Sequence, residues 1–412
     1  MIFEKKKLKF EALIIAGQSP NSDSYNENKI GEPFLQGSAD FGIINPIERY
    51  YSSAPKKISS PGDILVSVRA PVGDLNISNK RYAIGRGLAI VRGIKSRTKF
   101  LYYVLQAEKH NINSLSTGST FKAISSEDLK NYKVPSPELS YQDFITNFLD
   151  QKTSEIDTLI EDKEKLIALL EEKRQAIITE AVTNGLDPDV KMKDSGVNWI
   201  GKIPEHWELV RNKYLFKREK NIVGDQSSSY NVLSLTMRGV IHRDIESNEG
   251  KMPASFDSYQ VVEPNNLLMC LFDIDVTPRT VGLVNSFGIV SPAYSNFKVI
   301  KENVDVSFYY YWYLMLDFDK KLLHLSKNLR NSIGTADFGA LECPLPGFLE
   351  QQEIVKYLNE KETLIIESIA MIKEQIKVIK EYRQALIYEA VTGKIDVQVM
   401  LKETEQEEVS SS

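Results

Sequence analysis

Few residues of this 412-residue sequence are spaced for bond-making chemistry. The four histidines, His110, His206, His242 and His324, stand far apart, and the two cysteines, Cys270 and Cys343, form no CxxC pair. Neither set has the spacing of a zinc site or a redox motif. Asn45-Pro46-Ile47-Glu48 departs from the Asn/Asp-Pro-Pro-Tyr/Phe string of the amino-methyltransferases. There is no FxGxG loop for S-adenosylmethionine and no GxxxxGK[ST] phosphate loop, so neither methyl transfer nor ATP hydrolysis is expected. Pro188-Asp189, followed by Lys191 and Lys193, lacks the separated second acid of a metal-dependent nuclease and reads as a linker turn. No catalytic or metal-binding residue is assigned.

What remains is donor chemistry on loops, suited to phosphates and base edges. Arg69 follows a strand-like run and precedes Pro71, where a planar guanidinium would sit on a loop rim. Arg86 is a second such cation, and Ser119, Thr120 and Lys122 follow Gly118, which permits a tight turn. In the second half, Lys327-Asn328-Leu-Arg330-Asn331-Ser332-Ile-Gly334 gathers two cations, two amides and a hydroxyl. Arg238, Arg243 and Arg279 are scattered candidates. The competing assignments are ordinary ion pairs for the arginines, and a helix C-terminus ended by Gly334 for the second cluster. Tyr309-Tyr-Tyr-Trp-Tyr313 could stack on bases, but Phe100-Leu-Tyr-Tyr-Val104 occupies the same place in the first half, which favours core for both.

These loops need elements to carry them, and self-similarity outlines those elements. KRQAIITEAVT at Lys173–Thr183 returns as YRQALIYEAVT at Tyr382–Thr392, 209 residues later. The same offset pairs Pro135 with Pro344, Pro137 with Pro346, Gln142 with Gln351 and Lys152 with Lys361, so roughly fifty residues repeat in register. Each repeat runs over forty residues without proline or glycine, which predicts a helix of roughly 65 Å. Ser140 and Asp143 have the spacing of a capping box at the start of the first. Leu149, Ile156, Leu170 and Ile177 recur by sevens in one helix, Ile365, Ile372, Ile379 and Leu386 in the other. A second row is Ile160, Ile167 and Ala181, matched by Ile369, Ile376 and Ala390. That pattern predicts a coiled coil between the helices, interrupted by Lys163.

Residues 1–138 and 204–348 each hold short β-rich runs, such as Ile64–Val68 and Asn266–Cys270, then an aromatic helical stretch and a glycine-bearing loop. The expected organisation is α+β: globules at 1–138 and 204–348, long helices at 139–185 and 349–393, and a linker at 186–203. Trp199 and Trp207 in or beside that linker are expected to pin the second globule to a helix end. Two antiparallel helices with a globule at each end would give a pseudo-two-fold dumbbell. An acidic, disordered tail is expected at 394–412.

Hydrophobic residues are 42% and charged residues 26% of the chain, close to an ordinary globular protein. No apolar run reaches membrane-spanning length and no secretory signal is visible, which points to the cytoplasm. The net charge is −5, but residues 1–138 carry 20 Lys+Arg against 13 Asp+Glu. A basic first third favours a polyanion partner; the acidic total does not.

This order of motifs resembles the specificity subunit of type I restriction-modification systems. The strings that carry the resemblance are GDILVSVRAPVGD at Gly62–Asp74, STGSTFKAIS at Ser116–Ser125, KDSGVNWIGKIPEHWE at Lys193–Glu208 and the two repeated helix ends. It covers nearly the whole chain, although the leader Ile203-Pro-Glu-His-Trp207 of the second globule has no counterpart before the first. The resemblance implies a non-catalytic chain whose two target-recognition domains read the halves of a split, asymmetric site in double-stranded DNA. It implies docking of two methylation subunits, which bind S-adenosylmethionine, and of restriction subunits, which use ATP and Mg²⁺, with no cofactor on this chain. The donor residues named above then become candidate DNA contacts. The alternative from a different class is a non-catalytic coiled-coil scaffold whose globules bind protein.

Overall fold

The computed structural model describes residues 2–116, 123–245, 253–326 and 331–400. It divides into two compact units, Met1–Glu164 with Lys373–Ser412, and Lys165–Ile372. The fold is α+β, and each unit combines a mixed globule with stretches of both long helices.

In unit 1, four antiparallel strands lie in the order Ala12–Ala16, Leu88–Gly93, Ile64–Ser67, Leu75–Ile77. The central strand, Ile-Leu-Val-Ser, is buried throughout, which is why it reads as a continuous apolar run and not an alternating one. A second sheet holds Tyr25–Asn26, Tyr50–Ser52, Glu32–Leu35 and Ala83–Ile84, its last pair parallel. Leu35, Leu65, Tyr82, Ile84, Leu88 and Ile90 form the core of this globule. Helix α1 (Thr98–Ala107) buries Phe100, Leu101, Val104 and Leu105.

The two long helices are α2 (Leu139–Asn184) and, after α3 (Val306–Phe318), α4 (Phe348–Thr392). Within unit 1 they run antiparallel. Arg383 donates two hydrogen bonds to Asp157 at 2.8 and 3.0 Å, while Leu149, Ile156, Ile160, Ile376, Leu386 and Ala390 are buried. Lys163, which breaks the apolar row, is half-buried and reaches Gln375 Oε1 at 2.8 Å. The first turn of α2 is not closed by Ser140: the amides of Tyr141 and Gln142 donate to the Glu138 carbonyl, so the helix begins earlier and Asp143 is free to take the Arg97 guanidinium. Capping-box spacing is realised instead at Ser125 and Asp128, ahead of Ser126–Asn131. Residues 394–400, assigned above to a disordered tail, are ordered: Val397 is fully buried and Asp396 accepts from the Tyr141 hydroxyl. Residues 401–412 lie outside the described residues.

Unit 2 repeats the first sheet, in the order Phe216–Glu219, Ser295–Val299, Leu267–Met269, Val281–Leu283. Its second layer differs: a hairpin of Leu233–Thr236 with Gly239–His242, and a pair of Gln260–Val262 with Gly288–Val290, joined by a bridge between Val232 and Ile289. The aromatic run of α3 is core, with Tyr309, Trp312 and Tyr313 all but fully buried. Trp207 is also inaccessible and donates from Nε1 to Glu350 Oε1 at 3.0 Å, and Trp199 lies beside Trp312. Here the long helices pair through Arg174 Nε and Glu362 Oε1 at 2.7 Å, above a buried row of Ile365, Ile369 and Ile372.

Candidate nucleic-acid interface

The strand Ile64–Ser67 ends where Val68 donates its amide to the Gly87 carbonyl at 2.9 Å, so Arg69 and Arg86 emerge from adjoining turns. The Arg86 amide donates to Ser19 Oγ at 3.3 Å, and the Gln18 amide to the Ile84 carbonyl at 2.9 Å, which draws a third turn alongside. Close approach of these backbones requires glycine. A Cβ on Gly17 would lie 2.1 Å from the Gly85 carbonyl oxygen, and one on Gly87 would lie 2.5 Å from that of Gln36. The turns enclose an open concavity of about 1100 Å³ whose exposed lining includes Gln18, Asn21, Gln36, Lys56, Arg69 and Arg86.

Charge pairing separates these arginines from Arg81, Arg92 and Arg97. Arg81 is paired with Glu32 at 3.0 Å, Arg92 with Asp63 at 2.6 and 2.7 Å, and Arg97 with Asp143. The hydrogen bonds it donates to Asp63 hold the Arg92 guanidinium above its ordinary pKa. Arg69 and Arg86 are exposed and have no side-chain hydrogen bond or ion pair among the described residues, so among those residues their five-donor forks are left to a ligand or water. Asp74, also on the wall, is neutralised by Lys109 at 2.6 Å. A row of unpaired guanidinium, ammonium and amide groups in one groove suits bidentate recognition of phosphates and purine edges.

The other candidates fall out unevenly. Ser119, Thr120 and Lys122, and likewise Lys327, Asn328 and Arg330, lie outside the described residues. The chain re-enters description against Arg69: Ala123 bridges to it, and the Ile124 amide donates to the Val68 carbonyl at 3.0 Å. In unit 2 the matching bond runs from the Ile333 amide to the Leu271 carbonyl at 2.8 Å. Asn331, with φ +43°, and Ser332 are half-buried just before it, and the Asn331 carbonyl accepts from the Ile274 amide at 3.3 Å. Gly334 ends no helix; it precedes Thr335–Ala340 as the residue capping its N-terminus. Arg238 is exposed at the tip of the hairpin, its amide donating to Thr236 Oγ1 at 3.1 Å. Arg279 is a correction: it is only 8% exposed and its guanidinium is turned to Asp317 at 3.4 Å, inside the unit. That carboxylate also accepts from Thr280 and Lys320, so Arg279 completes an internal network and does not reach a surface ligand. Gln18, Asn21, Gln36 and Lys56 were not singled out from sequence, although the polar string Gln18-Ser-Pro-Asn21 directly after a strand carried the signal.

The residues weighed and rejected for catalysis have structural places. Asn45 Nδ2 donates to the Ile77 carbonyl, Asp187 and Asp189 close a local turn, and His206 meets Glu350. Both cysteines are buried, and burial raises both thiol pKa values. Among the described residues no cluster of metal-ligating side chains is present and no helix is long and apolar enough to cross a membrane.

Residues 4–169, which hold the entire groove, match the family model of the type I restriction modification DNA specificity domain. That stretch is similar to a type I DNA specificity domain. Among curated relatives, a putative type I restriction enzyme MjaX specificity subunit from Methanocaldococcus jannaschii is 42% identical over 172 residues, 41% of this chain and 40% of that protein. The MjaVIII specificity subunit of the same organism is 26% identical over 319 residues, covering 72% of this chain and 70% of the relative. The HsdS subunit of Thermoanaerobacter tengcongensis superposes with TM-score 0.50 over 95% of this chain and 97% of its own, at 14% identity. A chain from a structural study of complex assembly and conformational transition of the type I R-M system gives 0.70 over 96% and 98%, also at 14% identity. At that identity it is the fold that is shared. The resemblance to type I specificity subunits read from the motifs holds, and Arg69 and Arg86 fall within the matched stretch.

Proposed function

We propose that this chain is the non-catalytic DNA-recognition subunit of a type I restriction-modification complex. Target-recognition domains at 1–138 and 204–348 each read one half of a bipartite, asymmetric site in double-stranded DNA. The observation that supports this most is the pairing of cations in unit 1, where Arg81, Arg92 and Arg97 are ion-paired while Arg69 and Arg86 line one groove with no ion pair among the described residues. The dissimilar second layer of unit 2 is consistent with a different half-site. The long helices dock two methylation subunits. In support, apolar side chains stand exposed outside the seam: Leu364 and Met371, one heptad apart, in unit 2, and Val378 and Tyr382, one turn apart, in unit 1. S-adenosylmethionine belongs to those subunits, and ATP and Mg²⁺ to restriction subunits that join them in the cytoplasm; this chain binds none of the three.

The test is co-expression with a candidate methylation subunit from the same host, followed by adenine-methylation mapping. One bipartite motif is expected. Arg69→Ala with Arg86→Ala should weaken duplex binding by about 1–3 kcal/mol per contact and flatten its salt dependence, degrading one half of the motif only. Methylation without a split motif would sink the two-domain reading. Salt-insensitive protein capture, with no duplex binding, would favour the scaffold alternative.

A further inference from the structure

The loop from Phe41 to Arg49 presents three isoleucines to solvent on an unusually well-fastened backbone. Ile43 is 98% exposed, Ile44 56% and Ile47 49%. Exposed apolar loop tips are ordinarily slack, but this one is tied from several sides. Phe41 bridges to Pro46, the Ile77 amide donates to the Ile44 carbonyl at 2.8 Å, and the Ile47 amide donates to the Asp40 carbonyl at 2.8 Å. The fully buried Asn76 grips Gly42 twice, accepting from its amide at 3.2 Å and donating to its carbonyl at 3.0 Å. Gly42 is required there, since a Cβ would lie 2.4 Å from the Asn45 carbonyl oxygen. The isoleucines are therefore held outward by construction.

Their surroundings indicate what they meet. A cleft of about 750 Å³ beside Ile43, with Tyr102, Lys109, His110 and Asn113 on its walls, shares Ser38 and Asp74 with the arginine-lined groove. The apolar tip thus borders the surface assigned to DNA. Arg49, which ends the loop, is exposed and has no side-chain partner among the described residues, so a third unpaired guanidinium flanks the isoleucines. The loop's one carboxylate, Glu48, is neutralised by Lys80, and Asp74 in the shared wall by Lys109, which lowers the repulsion a phosphate backbone would meet there.

We infer that Ile43, with Ile44 and Ile47, is a hydrophobic wedge that enters a base step of the duplex beside the half-site read by the groove. Apolar side chains inserted between base pairs unstack them and bend the helix, and a preorganised loop does so without losing conformational entropy. Arg49 then neutralises the phosphates drawn towards the tip. The inference rests on the groove binding DNA, and a protein surface is the competing occupant.

The full chain is tested on synthetic duplexes holding the half-site returned by methylation mapping, with 2-aminopurine at successive positions across and beside it. The wild type should raise the fluorescence at one step. Ile43→Ser with Ile47→Ser should abolish that rise and weaken binding about tenfold, the order expected from losing one buried isoleucine. Its thermal midpoint should move little, because Ile43 is 98% exposed and Ile47 49%. Tight binding by the wild type with no fluorescence change at any position overturns the wedge while leaving the groove reading intact. So does a serine variant that binds DNA normally but no longer co-purifies with the methylation subunit, which would make the loop a protein contact. If wild type and the Arg69→Ala, Arg86→Ala variant bind duplex equally poorly, the groove reading itself fails and takes the wedge with it.

Discussion

The two units share one sheet plan, in which the first strand neighbours the fourth, then the second and third, and each sheet is followed by an apolar helix. They also share a fastening. Gln142 Oε1 accepts from the Arg97 amide and its Nε2 donates to the Pro137 carbonyl; Gln351 does the same with Asp305 and Pro346, each acceptor bond measuring 2.8 Å. What changes is the layer above the sheet. Unit 1 has four strands, with unpaired cations on the adjoining concave face, and unit 2 has a hairpin and a separate pair. The frame has been kept while the exposed layer has diverged, as expected where one set of groups must position a domain and another must discriminate.

The fastening at the other end of each globule is less even, and its asymmetry is measurable. Register places Leu209 opposite Pro344 and Lys5 opposite Pro135, which makes Phe3 the counterpart of Trp207. Phe3 is half-buried and meets Tyr141 edge-on at 5.4 Å, whereas Trp207 is inaccessible and bonded to Glu350. Trp207→Ala should cost about 3–5 kcal/mol in denaturant unfolding, and Phe3→Ala clearly less. Equal losses would mean the two anchors are equivalent after all. Next in size are Gln142→Ala and Gln351→Ala. Each strands an amide and a carbonyl that are at least partly buried and should lower stability by roughly 1–3 kcal/mol, the two by similar amounts. A large difference between them would show that the repeated glutamine does not do the same job twice.

The smallest effect concerns the helices. Arg174 and Glu362 are largely shielded, and Glu362 also accepts from the Tyr311 hydroxyl at 2.8 Å; Arg383 meets a more exposed Asp157. Arg383→Ala should cost under about 1 kcal/mol, and Arg174→Ala more, because it leaves a shielded carboxylate without its cation. Thermal midpoints in low and high salt check the ranking: only the Arg383 contribution should fade with salt.

The long helices were legible because a seven-residue apolar rhythm survives in both copies and proline brackets each start. The strands were legible as short β-branched runs between turn residues. The misreadings came where a partner lay far along the chain. Arg279 follows a proline and looks like a loop cation, and nothing local announces Asp317 beneath it. Ser140 has capping spacing, but Arg97 claims Asp143. Gly334 follows a basic cluster as a terminating glycine would, yet it opens a helix instead. The groove was half legible: its arginines stood out by type, whereas Gln18 and Gln36 acquire meaning only when three turns converge.

The division of the chain into units has a consequence for its synthesis. Unit 2 is one continuous stretch, Lys165–Ile372, while unit 1 needs its opening 164 residues and a segment beginning at Lys373. Domains ordinarily fold in the order they leave the ribosome. Here the stretch of α2 that belongs to unit 1 stays unpaired until the segment beginning at Lys373 has been made. The unit begun second is complete before it.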